Sequence, residues 1–584
     1  MFLGDFKQKK SINLGGNSSK LSKQELLLKT QREREQRQRQ KLQATTALKI
    51  QSWFRGRCSN YKEKVKARSN YQLMYGNEFN ANLNVDLKKK MSLFVFFYHK
   101  NVDTASFNEL ALEALTVDKK LGVALLIAPL YNTNSDSLTY VHTLRKFTKI
   151  VLENLLLDYS QLDVMLKILK VLIESDDKIN EKLSLLIKKN VERCGFFKTV
   201  KDFVLTKKNS YLNFDNDVNT LFDFTINVAS KFTIENNSSV DKSFVIRSFT
   251  LNILSIPLLL SKFKLQGNLD SVAHIMKSIF QFLISDTFTF NNDMQYLYIL
   301  SNILEFGLRL NYNEEETITY MESLIKLLKS IPREFMKIKM QTVSGTNSGG
   351  KDMDLMEVDS GTTIDRDLIS SISIIYSQEH LRKLLTPILS NKNDESHNDI
   401  IIRGLGKFSE LILLIIFKYQ SSIKVEIFRI LMYKFKDLNL LKTYWIYFKK
   451  GDLIKFFLVE NIFENIFLKF EKLYEWFLFL VFLEILQRFL LVLGDDEFFK
   501  GELLGNGSPE GVKEFVVLCT ILKNLTFFIL TNLNISNLLK EELKLSSNLL
   551  FGLVKFNFIK FRLITTLQQL YTRDCRRSFF PKNQ

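Results

Sequence analysis

The stretch "YTRDCRRSFFPKNQ" near the C-terminus sets Cys575 between Asp574 and the pair Arg576 and Arg577. Flanking guanidinium groups favour a thiolate, the form of cysteine that attacks carbonyls and thioesters. Yet the stretch holds no histidine to serve as base and no Gly-rich run to supply oxyanion donors, so we read it as a polar connector. The remaining cysteines, Cys58, Cys194 and Cys519, lie far apart and form no CxxC pair, which argues against a disulfide framework or a zinc site. His99, His142, His274, His380 and His397 are dispersed without HExxH spacing. The acidic pairs Asp176/Asp177 and Asp495/Asp496 each fall between an apolar helix and the next segment, where a cap or solvated turn accounts for them. There is no GxxxxGK[ST] and no strand–GxGxxG–helix arrangement, and "IRGLGK" (Ile402–Lys407) reads as a helix junction. The residues present therefore predict no catalytic constellation, no metal site and no cofactor.

The strongest local pattern is "IQSWFRGRCSNYK". Ile50, Gln51, Arg55 and Gly56 reproduce the first part of IQxxxRGxxx[RK], with Phe54 as a second apolar anchor. Such a helix is recognised by calmodulin-type EF-hand proteins, whose groove takes the apolar anchors while Gln and Arg bond its backbone and basic residues suit its acidic surface. Where the final basic residue should stand there is Asn60, with Lys62 two places on. Ala47, Ile50, Phe54, Cys58, Tyr61 and Val65 follow spacings of three and four, which confines them to one stripe of a basic amphipathic helix. That stripe either meets a calmodulin-like partner or packs on the protein's own body. Nucleic acid ranks last as a partner for the arm, because the arginines between Gln31 and Lys41 alternate with Gln and Glu and have no aromatics for base stacking.

Charge separates this arm from the rest of the chain. Residues 1–70 carry 18 Lys and Arg against 5 Asp and Glu, whereas the other 514 residues of the 584 supply only +5 of the net +18. Residues 1–20 predict an extended tail and 21–69 the basic helix, opened by the capping box "SKQE" in which Ser22 and Glu25 exchange hydrogen bonds. From 85 onward apolar residues recur at helical spacing, as at Leu162, Met165, Leu166, Leu169, Leu172 and Ile173. The fold class expected is all-α, an irregular α-solenoid or helical array behind the basic helix. Gln341–Asp367, rich in Gly, Ser, Thr and Asp, predicts a disordered insertion between helical regions 85–340 and 368–584, and "GNGSPEG" (Gly505–Gly511) a surface loop. The membrane-like run "WFLFLVFLEILQRFLLVL" is interrupted by Glu484 and Arg488, so it reads as a core helix rather than a span. The N-terminus lacks a secretory h-region, so a cytoplasmic or nuclear location is expected.

Taken in order, "MFLGDFKQKKSINLGG", "QREREQRQRQ" and "ALKIQSWFRGR" resemble the start of the IQ-motif, proteasome-associated branch of HECT-type ubiquitin ligases. Further matches are "LFVFFY" (Leu93–Tyr98), "SIPLLL" (Ser255–Leu260) and "LYTRDCRR" (Leu570–Arg577). The resemblance implies a helical N-terminal region that faces protein substrates and the proteasome. It further implies a HECT domain whose cysteine takes ubiquitin from a conjugating enzyme as a thioester. Residues 1–584 match only the part upstream of that domain, and none of the four cysteines matches its catalytic position. The expectation is a non-catalytic part of a ligase; the alternative is a helical-repeat scaffold regulated by a calmodulin-like partner.

Overall fold

The computed structural model describes residues 23–75, 87–117, 122–131, 137–156, 161–174, 181–206, 214–235, 239–262, 269–285, 293–331, 366–390, 395–418, 421–454, 473–507, 509–531 and 556–581. Among them the chain is a helical array with no strand element, as the 3.6-residue periodicity predicts; two residues, Val117 and Ala124, form an isolated bridge. It divides into two compact units, 1–150 and 151–584.

The first unit opens with α1 (Lys23–Tyr75), followed by α2 (Leu87–Phe97), α3 (Thr104–Leu115) and most of α4 (Ser137–Leu155), whose last five residues count with the second unit. Its core is aromatic: Phe94 lies 5.3 Å from Phe97 and 6.2 Å from Phe107, which in turn meets Phe147 at 5.6 Å. Tyr140 is buried on α4, and its hydroxyl donates to the Leu126 carbonyl at 2.7 Å, pinning the turn before α4.

The second unit continues with α5 (Leu162–Ile173), α6 (Glu181–Arg193), α7 (Phe196–Thr206), α8 (Phe214–Glu235), α9 (Ser239–Asn252), α10 (Leu259–Lys262), α11 (Leu269–Ser285), α12 (Asp293–Arg309) and α13 (Glu314–Ser330). Then come α14 (Arg366–Ser373), α15 (Gln378–Ile388), α16 (Asn398–Lys418), α17 (Ser421–Arg429), α18 (Leu440–Lys450), α19 (Leu473–Val492), α20 (Asp495–Phe499), α21 (Glu510–Thr531) and α22 (Phe556–Arg576). A continuous row runs α5, α8, α11, α13, α16, α19, α22, each packed on the next, with the intervening helices flanking it. This nearest-neighbour stacking is what lets a solenoid grow without a single large core.

Local sequence accounts for many boundaries. The six α5 residues at helical spacing are all buried. Asn313 caps α13 in a reciprocal box with Glu316, whose backbone N–H donates to Asn313 at 2.8 Å. The Ser22 side of the predicted box at the start of α1, Asp176/Asp177 and most of Gln341–Asp367 lie outside the described residues; α14 already begins at Arg366. Helices before and after that segment pack directly on one another: the Tyr320 hydroxyl bonds His380, Ser371 donates to Glu305 at 2.6 Å, and Lys329 pairs with Glu410 at 2.7 Å.

The reading of "IRGLGK" as a junction is corrected, because Gly404 and Gly406 lie inside α16. They are glycines for closeness. A Cβ on Gly404 would sit 2.9 Å from Ile388 of α15, and one on Gly406 would sit 2.6 Å from the Tyr474 backbone oxygen of α19. Gly406→Val is expected to destabilise the second unit by about 2–3 kcal/mol, since backbone cannot retreat as a side chain can. Denaturant midpoints check this, with Gly56→Ala, where nothing lies within 4 Å of the added carbon, expected not to lower the midpoint.

The membrane-like run is α19, and it is buried on nearly every side from Trp476 to Leu486. No helix among the described residues is long and apolar enough to cross a membrane.

Candidate partner-binding helix

α1 is 53 residues long, and its two ends live in different environments. From Leu27 to Glu63 every side chain is exposed, as the all-round polarity of 31–43 predicts; only from Lys64 do contacts begin. There Ala67 and Tyr71 are buried, one turn apart. The Tyr71 ring packs 5.4 Å from Phe94 and 5.3 Å from Phe97. Burial, with help from the Glu113 and Glu109 charges, pushes its phenol pKa up, so it stays neutral.

Arg68 locks this docking. Its Nε and Nη2 each donate to the Asp103 carboxylate at 2.8 Å, Nη2 also reaches the Phe97 carbonyl at 3.3 Å, and the guanidinium lies over the Phe97 ring. The side chain of Asp103 is 6% exposed, and it further accepts from the His99 backbone N–H at 2.7 Å. A bidentate pair with one partner buried is fixed in angle as well as distance. The hydrogen bond to Asp103 is the main reason the Arg68 pKa is raised. Lys90 adds an ion pair to Glu113 while lying over the Tyr75 ring at 5.4 Å.

Beyond this anchor the predicted stripe is uncovered. Ile50 is 66% exposed, Phe54 61% and Tyr61 70%, and Gln51, Arg55, Gly56 and Cys58 are exposed as well. Among the described residues, packing of the protein's own body on the stripe from Ile50 to Tyr61 is thus not observed. One residue was missed by the sequence reading: Trp53, 61% exposed, with the Arg57 guanidinium 4.9 Å over its ring. At about 100° per residue, Trp53 and Arg57 project the Tyr71–Tyr75 docking edge up the helix, beside Ile50 and Phe54. A wider stripe, admitting i+3 from Ile50, would have found it.

The charged residues around Cys575 are engaged in packing contacts. Cys575 is exposed on the last turn of α22, and its neighbouring arginines turn elsewhere. Arg573 donates to Asp495 at 2.7 Å and to the Leu490 carbonyl at 2.8 Å; Arg576 also pairs with Asp495, and Arg577 stacks over Phe499 at 4.7 Å. Asp574 accepts from the backbone N–H groups of Phe579 and Phe580 at 2.7 and 2.8 Å, folding the chain back beside α22. Asp495 is therefore the anchor of the C-terminal segment at the first turn of α20. Cys519 lines an apolar cavity of about 400 Å³ with Leu567, Leu570, Phe579 and Phe580, and burial pushes its thiol pKa up to about 12, which leaves it a thiol.

No protein-family profile matches the chain. A stretch of 77 residues is 43% identical to the E3 ubiquitin-protein ligase UPL6 of Arabidopsis thaliana. It covers 13% of this chain and spans only 8% of that protein's length. The crystal structure of an engineered protein covers 83% of the chain at 12% identity with a TM-score of 0.20, a value that carries no structural argument. The chain thus shares one limited stretch of sequence with a ubiquitin ligase, on an all-α array.

Proposed function

We propose that this chain is the substrate- and proteasome-facing part of a HECT-type ubiquitin ligase, acting in the cytosol or nucleus, with α1 as its docking arm. The observation that carries the reading is the division within α1: a basic, uncovered length from Leu27 to Glu63 held at one end by Arg68, Ala67 and Tyr71. Residues 31–43 are polar on all sides and have no face to bury, and the apolar stripe that follows is left exposed, so this length can meet another surface. The partial identity to a plant ubiquitin ligase supports the pathway. In this reading the thioester-forming cysteine, ubiquitin and the conjugating enzyme belong to a HECT-type domain beyond the C-terminal connector, and residues 1–584 hold partners rather than perform transfer.

Deleting residues 1–62 leaves the Arg68 anchor in place. The expected result is loss of proteasome co-purification with an unchanged unfolding midpoint of the remaining chain; unchanged co-purification would sink the docking role.

A second reading is favoured by the exposure of Ile50, Trp53 and Phe54: a calmodulin-like EF-hand lobe grips the arm there. Pull-down of calmodulin with and without calcium, against Ile50→Asp/Phe54→Asp, separates the two readings.

A further inference from the structure

Glu484 and Arg488 interrupt the apolar run of α19, and their surroundings are unusual in charge. The Glu484 side chain is 1% exposed and meets three cations. Oε1 faces Lys424 Nζ of α17 at 3.2 Å and Arg562 Nε of α22 at 2.5 Å, and Oε2 accepts from Arg488 Nη1 at 2.6 Å. A second charged network in this unit is closer to balance: Lys329, Lys407 and Arg403 share two carboxylates, Glu410 and Glu322. Among the described residues, three cations around Glu484 face this one carboxylate, which leaves two positive charges in excess.

Aromatic faces hold these cations in place. Arg488 lies 4.0 Å over Phe428, Arg562 4.9 Å over Phe558, and Lys424 5.3 Å over the same Phe558 ring. The Arg562 Nη1 group also donates to Gln487 Oε1 at 2.7 Å, and Gln487 in turn donates to Thr566 at 2.6 Å. The cluster is nonetheless reachable, with side chains of Lys424, Arg488 and Arg562 at 20%, 25% and 17% exposure. Burial lowers the pKa of Lys424 and of Arg562, and the neighbouring guanidinium charges lower them further against the pull of Glu484. All three cations retain N–H groups that Glu484 does not use.

We propose that Lys424, Arg488 and Arg562 form a binding site for a small dianionic oxyanion of the phosphate class. Three cations gathered on one carboxylate, backed by rings and by Gln487, keep further N–H groups that match the spread charge of such an ion. Binding removes the repulsion among the cations and returns the cluster to neutrality.

The test is isothermal titration of the full chain with inorganic phosphate and with sulfate against chloride at matched ionic strength, paired with thermal unfolding. One site per chain and a raised midpoint are expected for both dianions at pH 8, with sulfate alone keeping its full effect at pH 6, where phosphate becomes largely a monoanion. Lys424→Met and Arg488→Met should each abolish the titration, whereas Glu484→Gln, which removes the competing carboxylate, should tighten it by about tenfold. Absence of a titratable site in the unaltered chain would overturn the proposal. So would undiminished binding by both methionine variants, which need no stable Glu484→Gln protein to be informative.

Discussion

Asn302→Leu is expected to unfold the second unit or lower its stability by about 4–6 kcal/mol, the largest loss from any single polar substitution we anticipate. Asn302 is wholly buried on α12 and satisfies the backbone of the irregular turn between α9 and α10. Its Oδ1 accepts from the Leu259 N–H at 3.0 Å, and its Nδ2 donates to the carbonyls of Leu254 at 2.8 Å and Ile256 at 2.7 Å. That turn cannot satisfy itself by helix, because it contains Pro257 and holds Leu258 at a φ of +50°, strained for a residue with a Cβ. Leucine fills the volume but leaves three buried backbone groups unpaired, each at about 1–3 kcal/mol. Asn302→Asp keeps the acceptor for Leu259 and sets a carboxylate oxygen against two carbonyls, so it should fare no better. Urea denaturation followed by circular dichroism measures both; a loss under about 1 kcal/mol for either would show that the turn has other support.

His380 should make the same unit sensitive to acid. It is fully buried on α15, and its two nitrogens have fixed roles. The Ile375 carbonyl can only accept, so Nδ1–H donates to it at 3.1 Å; Nε2 therefore accepts from the Tyr320 hydroxyl at 3.0 Å. Burial, with a smaller contribution from Lys383 and against the Ile375 bond, pushes the imidazole pKa down to about 4. A depressed folded value means that the neutral form is the native one. The stability is fully present above the unfolded pKa near 6.5 and is lost as pH falls from there towards 4, by about 3 kcal/mol in all. Denaturant midpoints between pH 7 and pH 4 should fall more steeply for the unaltered chain than for His380→Gln. His274, lowered by burial and by Lys242 and Lys277, titrates in both proteins and cancels in the comparison. Parallel profiles would refute the assignment.

These particulars show what one sequence makes legible. The helices were, because Leu162 through Ile173 repeat at 3.6-residue spacing, and so was the exposure of residues 31–43, because their polarity leaves no face to bury. The exposed stripe of Ile50 and Phe54 was visible as a pattern, but whether a body lay against it was not. Glu484 and Arg488 could be read only as interruptions of an apolar run. Their partners Lys424 and Arg562 stand 60 and 78 residues from Glu484, and pairing at such separations leaves no local trace. Asn302 likewise looks like an ordinary polar residue until the turn it serves is brought beside it. Gly406 suggested a break, because glycine is costly within a helix; the closeness of Tyr474 is what requires it there.

The anchoring of α1 has a geometric consequence. Lys23 to Glu63, at ~1.5 Å per residue, is a rod about 60 Å long held by little more than two turns of contact. A change of about 10° in the angle at Arg68 and Tyr71 would displace the far end by about 10 Å, so the angle that the fork fixes is magnified along the rod. The Asp103 fork, by fixing that angle, sets where Ile50 and Phe54 stand relative to the rest of the first unit.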